Sequence, residues 1–138
     1  MPRSLAIAIA VTDVLFMSYW GIALLALFGA LSLPPDMMYG DYLNPRVVAW
    51  NWSFFPLDLV FSIFGFLALS ASRRGDPIWR PYALVSLILT MTAGGMAVAY
   101  WIILVEFDPS WFLPNLALFV WPLFFMRGLI RGMVPQTA

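Results

Sequence analysis

The sequence contains no cysteine and no histidine, and these two absences remove much of the chemistry that enzymes use. Without cysteine there is no disulfide scaffold, thiol redox centre or thiolate metal site. Without histidine the chain lacks the usual general base and the commonest metal ligand. Lysine is missing too, since all seven basic residues are arginine, so a lysine Schiff base is excluded. We therefore expect no metal and no other cofactor, and proton chemistry would depend on Asp, Glu, Tyr or water.

Charge is also scarce. Only 10% of the 138 residues are charged, whereas 63% are hydrophobic. Because a soluble globular domain is about 25% charged, we expect a single integral membrane domain covering residues 1–138, with the lipid bilayer as its first partner. The formal net charge of zero gives no reason to expect a nucleic-acid partner.

Long apolar runs predict an all-α integral membrane protein, a bundle of four transmembrane helices. About 20 apolar residues span a bilayer as a helix, and the runs are placed at 12–33, 52–72, 82–105 and 111–130. The first run extends back to Leu5, so either its helix tilts or its crossing starts near Asp13. Segment 34–51 is predicted to be an outer loop that caps the bundle, with Pro34-Pro35 among its turn signals.

The arginines predict the orientation. Six of the seven lie on one side of the four runs, and Arg46 alone lies on the other. The positive-inside rule then places both termini in the cytoplasm. Arginine as the only basic residue type hints at a bacterial source, so we expect a multi-pass protein of the bacterial inner (cytoplasmic) membrane.

One carboxylate, Asp58, lies inside the second run. An ionisable group at membrane depth costs about 2.5–3.5 kcal/mol on insertion scales, so it usually faces a partner, water or a ligand. At 3.6 residues per turn, Asp58 shares one helical stripe with Asn51, Ser62 and Gly65. This stripe predicts that Asp58 points into the bundle.

The polar residues of the outer half predict a pocket with Asp58 at its floor and Glu106 at its rim, the two candidate catalytic acids. The residues expected to bind a ligand there are Asn51, Trp50, Trp52, Tyr100, Asn115, Ser62 and Thr90. Asp13 lies toward the inner end of the first run and is predicted to form a separate polar site, near Arg127 or Arg131.

Each assignment has a structural alternative. Asp58 could accept hydrogen bonds from Tyr100, Asn115, a threonine or Arg46 and fix the helix register. Glu106 could belong to a solvated turn, and Asp13 could pair with an arginine or water. The tryptophans could be interfacial anchors. The small-residue stripe of the third run could serve only for packing; it comprises Ser86, Thr90, Ala93, Ala97 and Tyr100.

Two stretches carry a family resemblance. Residues 41–45 (DYLNP) and 49–59 (AWNWSFFPLDL) resemble the YvaD-like family of small bacterial four-span membrane proteins, and Val11-Thr12-Asp13 fits the same family. The resemblance implies a four-span fold over most of the chain, and it carries no established activity.

The layout is also similar to the emopamil-binding and sigma-two-receptor (EXPERA) group. That similarity implies a four-helix membrane core whose acids project into a lipid-accessible cavity, here Asp58 and Glu106. The sterol isomerases of the group use a histidine, which this sequence lacks. Membrane terpene cyclases likewise use a buried Asp or Glu as their acid, with aromatic walls around the cationic intermediate.

The leading hypothesis is an intramembrane pocket for a lipophilic small molecule, isoprenoid- or sterol-like, with Asp58 as its polar anchor. If the protein is an enzyme, which the sequence leaves open, a protonated Asp58 would protonate an alkene or epoxide in an isomerase- or cyclase-like reaction. The alternatives are a non-catalytic membrane subunit or assembly factor, and a small transporter subunit. These would act with a membrane-protein partner or as a homodimer.

Overall fold

The computed structural model describes residues 1–34 and 37–134, and the regular elements in these ranges are all α-helices. There are six, namely α1 (Arg3–Leu27), α2 (Pro45–Ser53), α3 (Phe55–Arg73), α4 (Trp79–Leu104), α5 (Pro109–Val120) and α6 (Leu123–Arg131). By length and composition, four helical units are apolar enough to cross a membrane: α1, α2 with α3, α4, and α5 with α6. The prediction of an all-helical chain with four such units is confirmed.

Glycines in the left-handed conformation end two of the long helices. Gly29 and Gly75 both have φ of 72°. Such a residue lets the following N–H groups bond back to the last helical carbonyls. The N–H of Ala30 donates to the carbonyl of Leu25 at 2.9 Å, and that of Asp76 donates to Ala71 at 3.0 Å. These bonds fix where α1 and α3 stop.

Prolines interrupt the second and fourth units. Pro56 has no N–H to bond to an α2 carbonyl, and the helix breaks at Phe54, between α2 and α3. Pro122 lies in the corresponding break between α5 and α6. The first break has a consequence for the site, because it places Asp58 in the first turn of α3. A carboxylate is favoured there by the helix dipole.

The packing order follows the chain. α3 packs against α1 and α4, and α4 packs against α5 and α6, whereas α1 and α5 do not form a packed pair. Close approach of α4 to α5 depends on Gly94, where a Cβ atom would lie 2.6 Å from the carbonyl oxygen of Asn115. Small residues permit this kind of contact between apolar helices.

The buried apolar core lies at one end of the bundle. It comprises Leu5, Ile9, Ala68, Ala83, Leu87 and Leu129, which come from the start of α1 and α4 and the end of α3 and α6. We call this the terminal end. The opposite end, which carries residues 37–44 and the turn 105–108, is called the loop end. Packing closes the terminal end, so any large cavity must lie toward the loop end.

The first unit differs from the predicted span 12–33. α1 already begins at Arg3 and ends at Leu27. It starts earlier because Leu5 and Ile9 are buried in the core, so the helix continues through them. It ends earlier because of the turn at Gly29. Asp13 is consequently in the middle of the helix and not near its beginning.

The predicted loop 34–51 is also shorter, because α2 starts at Pro45. The side chain of Asn44 caps this helix, with Oδ1 accepting from the backbone N–H of Arg46 at 3.1 Å, and proline is favoured at the first helical position. Pro35, one of the predicted turn residues, lies outside the described residues.

The last two units are close to the predicted spans 82–105 and 111–130. α4 ends at Leu104 because Val105 adopts φ of 56°, and the N–H of Glu106 bonds back to Trp101. α5 starts at Pro109 because Asp108 caps it, with its carboxylate accepting from the backbone N–H of Ser110 at 2.9 Å.

Candidate functional site

A cavity of about 1120 Å³ lies at the loop end. Residues of α1 through α5 and of the two loop-end connections line it, and it is partly open to the outside. Ligand pockets for drug-sized molecules are typically about 300–1,000 Å³, so this space is large enough for a long apolar molecule. Six of the predicted site residues line it, namely Asp58, Glu106, Asn51, Trp50, Tyr100 and Asn115.

Asp58 is the buried acid of this cavity. Only 3% of its surface is exposed. One carboxylate oxygen, Oδ2, accepts a hydrogen bond from the indole N–H of Trp20 at 2.9 Å. The other, Oδ1, has no hydrogen-bond partner among the described residues. A helix-to-helix bond and an unused acceptor therefore coexist on the same side chain.

The donor to Asp58 is not one of the partners that the sequence suggests. The amide of Asn115 instead donates to the backbone carbonyl of Trp111 at 2.8 Å, one turn earlier on its own helix. Arg46 is exposed and does not line the cavity. The bond from Trp20 replaces these alternatives because α1, and not α4 or α5, supplies the donor nearest to the first turn of α3.

Asn51 also has a partner on α1. Its side-chain oxygen accepts from the hydroxyl of Tyr19 at 3.0 Å. Tyr19 and Trp20 are adjacent in sequence, and their rings meet edge to face with centroids 5.0 Å apart. Two neighbouring aromatic residues of α1 thus hold the polar residues of both α2 and α3 in the cavity wall.

Aromatic rings form much of the remaining wall. Eleven of the lining residues are Phe, Tyr or Trp. Trp50 of α2 stacks on Tyr100 of α4, with centroids 4.0 Å apart and an interplanar angle of 21°. Trp121, in the break after α5, also lines the cavity, and its indole N–H is buried without a partner among the described residues. Two residues of the cavity lining, Asp58 and Trp121, therefore each carry a buried polar atom without a partner among the described residues.

Further polar groups surround the mouth. Glu106 and Asp108 lie in the turn between α4 and α5, and Asp41 lies in the loop before α2; all three line the cavity. Asp41 accepts from the side chain of Asn44 at 3.0 Å. Partial loss of solvent contact raises the pKa of Tyr39 at the same rim.

Three residues predicted to bind the ligand do not line this cavity. Trp52 turns to the other side of α2 and packs on Trp20, with ring centroids 5.3 Å apart. Ser62 and Thr90 are buried in the helix interfaces one turn or more beyond the cavity floor. Both lie on the inward face, as the helical phase predicts, but the helices pack tightly at their level, so their predicted role in ligand binding is corrected to interior packing.

Asp13 is corrected as well. It is 1% exposed, and a Cβ atom built on Gly65 would overlap its carboxylate. Neither of its oxygens has a hydrogen-bond partner among the described residues. Arg127 and Arg131, its predicted neighbours, are exposed. The pairing fails because α1 begins at Arg3, which moves Asp13 away from the terminal end and into the α1–α3 interface.

The main omission from the sequence prediction is α1. Thr12, Phe16, Tyr19 and Trp20 all line the cavity. Their spacing of four, three and one residues places them on one helical face, so the sequence does carry a signal for this wall.

No group of metal-ligating residues occurs in the described ranges 1–34 and 37–134.

Comparison with known proteins gives a family and a relative. The family of unknown function DUF5360 matches residues 5–136. The chain is 36% identical over 129 residues to the uncharacterized protein YvaD of Bacillus subtilis (strain 168). The aligned region covers 94% of this chain and 93% of YvaD. No solved structure matches the chain.

Proposed function

The chain belongs to DUF5360, a family of unknown function, and from its own cavity we propose that it binds a lipophilic small molecule within a membrane, with Asp58 as the polar anchor. The observation that carries this proposal is the unpartnered Oδ1 of Asp58 beside a cavity of about 1120 Å³. A buried acceptor without a partner costs about 1–3 kcal/mol, and a ligand hydroxyl would remove that cost. Trp121, another lining residue, carries a buried indole N–H that is likewise without a partner among the described residues.

The proposal includes a membrane setting and an orientation. The four apolar helical units cross the bacterial inner membrane, with both termini in the cytoplasm and the cavity in the outer half. The arginine distribution of six against one supports this orientation. The exposed apolar side chains of the long helices, such as Leu15 at 63% and Phe124 at 78%, would then face lipid.

A lateral route suits a ligand that is dissolved in the bilayer. α1 and α5 both contribute lining residues, although they do not pack against each other. Leu15 on α1 and Ala117 on α5 are exposed lining residues beside this gap. A molecule with an isoprenoid or sterol-like apolar body would enter here with its polar group directed to Asp58.

Binding is tested with purified protein in lipid nanodiscs and a photoreactive analogue of farnesol. We expect saturable labelling that excess farnesol removes. Ala97, which is 3% exposed and lines the cavity, gives a blocking variant: Ala97→Phe should weaken binding at least about tenfold. Ala99→Phe, two residues further on the exposed side of α4, is the matched control and should bind normally.

The anchoring role of Asp58 is tested by Asp58→Asn. This variant keeps the shape of the side chain and an acceptor for Trp20, so it should melt near the wild-type temperature yet bind the analogue more weakly. Unsaturable labelling of the wild type, or equal binding by Asp58→Asn and wild type, would refute the anchor. If the wild type shows no saturable binding and another membrane protein co-purifies with it specifically, the subunit or transporter alternative would be favoured.

Acid catalysis on the same ligand is a second candidate. It is favoured by the aromatic rings that line the same cavity as Asp58, since such rings stabilise cations. Incubation of nanodisc protein with isoprenoid alkenes or epoxides, followed by product analysis, should give isomers or cyclic products from wild type and none from Asp58→Asn. Unchanged substrate with both proteins would reject this candidate and leave binding intact.

A further inference from the structure

The sign of the charges around the cavity points to the chemistry of its ligand. Four carboxylates line it: Asp58 at the floor, and Asp41, Glu106 and Asp108 around the mouth. None of the lining residues in the described part of the chain is basic. Arg46, the arginine of α2, is exposed and lies outside the lining. Everything that carries a formal charge in this wall is therefore negative.

The carboxylates are not all used internally. Asp108 caps α5, and Asp41 accepts from Asn44, so both have local structural roles. Asp58 differs from these two. It lines the cavity, only 3% of its surface is exposed, and its Oδ1 has no hydrogen-bond partner among the described residues. A buried oxygen without a partner is costly, and a complementary group from a ligand would remove that cost.

The uncharged part of the wall has the same preference. Aromatic faces carry a negative quadrupole and attract cations, with Trp the strongest. The stacked pair Trp50–Tyr100 lies beside Trp101, whose ring centroid is 5.7 Å from that of Tyr100. A concave surface lined by charge of one sign with low-dielectric walls also concentrates ions of the opposite sign.

We infer that the ligand is a lipophilic organic cation, with an ammonium-type head group against Asp58 and the aromatic wall and an apolar tail in the cavity and the α1–α5 gap. This inference rests on the proposed binding function and specifies the ligand class of the same site. A neutral alcohol would satisfy Asp58 alone, whereas a cation is attracted by the floor, the rim and the rings together. An anionic lipid is disfavoured by all of them.

The test compares three molecules with one isoprenoid tail: farnesylamine, farnesol and farnesoic acid. Each competes with the photoreactive farnesol analogue in nanodiscs of phosphatidylcholine, and concentrations are corrected for partitioning into empty nanodiscs. Farnesylamine, protonated at neutral pH, should displace the analogue at about tenfold lower concentration than farnesol, and farnesoic acid should be the weakest. Equal potency of farnesylamine and farnesol, or a higher potency of farnesoic acid than of farnesylamine, would overturn the inference while the binding function stands.

Charge-removing variants locate the preference. Asp58→Asn should most reduce the potency of farnesylamine relative to that of farnesol, which we call the amine-to-alcohol ratio. Glu106→Gln should reduce this ratio less, because Glu106 is solvent-exposed. Asp76→Asn, in the terminal-end turn and outside the cavity, should leave the ratio unchanged. An equal fall in all three variants would attribute the preference to overall charge and contradict the site. If the analogue labels nothing, direct binding of farnesylamine still decides whether a cation is bound.

Discussion

At the scale of single residues, the two buried aspartates differ in what packs beside them. Asp58 bonds an indole donor and lines the cavity, whereas the carboxylate of Asp13 lies against Gly65 in the α1–α3 interface. Both lie on inward faces of their helices. Only Asp58 also lines the cavity, so the proposed ligand contact is assigned to Asp58 and not to Asp13.

The bond from Trp20 predicts the first variant. Trp20→Phe removes the donor and leaves both oxygens of Asp58 without a protein partner, which should cost about 1–3 kcal/mol of stability. The readout is thermal unfolding in detergent. Trp52→Phe is the control, because Trp52 contacts the same ring of Trp20 without bonding Asp58. Equal losses in the two variants would show that ring packing, and not the hydrogen bond, determines the effect.

Sequence reasoning could place Asp58 but could not identify its donor. The polar residues of α3 are few and share one face, so helical phase alone indicates that Asp58 points inward. α1 is apolar on nearly every side, with exposed Val11, Val14 and Leu15 beside buried Ile9, so hydrophobicity does not distinguish its faces. Which side of α1 carries the donor is decided by its contact with α3, and that contact is tertiary information.

At the scale of elements, α1 and α3 run antiparallel in a fixed register. Asp13 lies against Gly65, Phe16 meets Phe61 edge to face at 5.0 Å, and Trp20 bonds Asp58. These three pairs keep a constant alignment along the two helices. The register explains why Gly65 is required, because the larger Asp13 side chain occupies the place where a Cβ atom would be.

This register predicts a steric effect. Gly65→Ala places a methyl group on the carboxylate of Asp13 and should destabilise the protein by about 1–3 kcal/mol, the usual cost of overpacking. Gly21→Ala, with no atom within 4 Å of the new Cβ, should instead be neutral or stabilising, because alanine is favoured over glycine within helices. Thermal unfolding distinguishes the two.

A double variant separates the clash from a general intolerance of α3. Replacing Asp13 by alanine removes the obstructing carboxylate, so Gly65→Ala together with Asp13→Ala should be more stable than Gly65→Ala alone. Additive losses would mean that the two residues do not interact and that the register is wrong.

The helix ends were only partly readable from the sequence. Gly75 marks the end of α3 as expected from a glycine after a basic last turn. The sequence does not indicate the break at Phe54. Pro56 is compatible both with the first turn of a single helix and with a helix that follows a break, so the two cases have the same sequence pattern. Its position depends on how α2 packs over the loop end.

At the scale of the whole molecule, the bundle is closed at the terminal end and open at the loop end. The buried apolar core, which includes Leu5 and Leu129, closes the terminal end, and the cavity lies at the loop end. The four units could be predicted, since the sequence has four long apolar runs separated by segments that contain charged residues and prolines. The cavity could not be predicted in the same way, because it depends on the placement of the helices, in which α1 and α5 do not form a packed pair.

The proposed orientation gives a further test, made clean by the absence of cysteine. Leu43→Cys lies in the loop end and Ile78→Cys near the terminal end, and both positions are exposed. In spheroplasts, a membrane-impermeant maleimide should label Leu43→Cys directly and Ile78→Cys only after lysis. The opposite pattern would reverse the orientation, and labelling of both before lysis would argue against a sealed four-span arrangement.

Binding of a lipophilic molecule in the cavity is tested most directly by identifying the residues that are photolabelled. After irradiation of the farnesol analogue in nanodiscs, mass spectrometry of the peptides identifies the labelled residues. We expect labels lost on competition to lie in the cavity wall, within residues 12–20 of α1 and within residues 111–121 of α5 and the break that follows it, and to be reduced in Asp58→Asn. Competable labels confined to lipid-facing residues outside this wall, or labels that farnesol never competes away, would contradict this expectation.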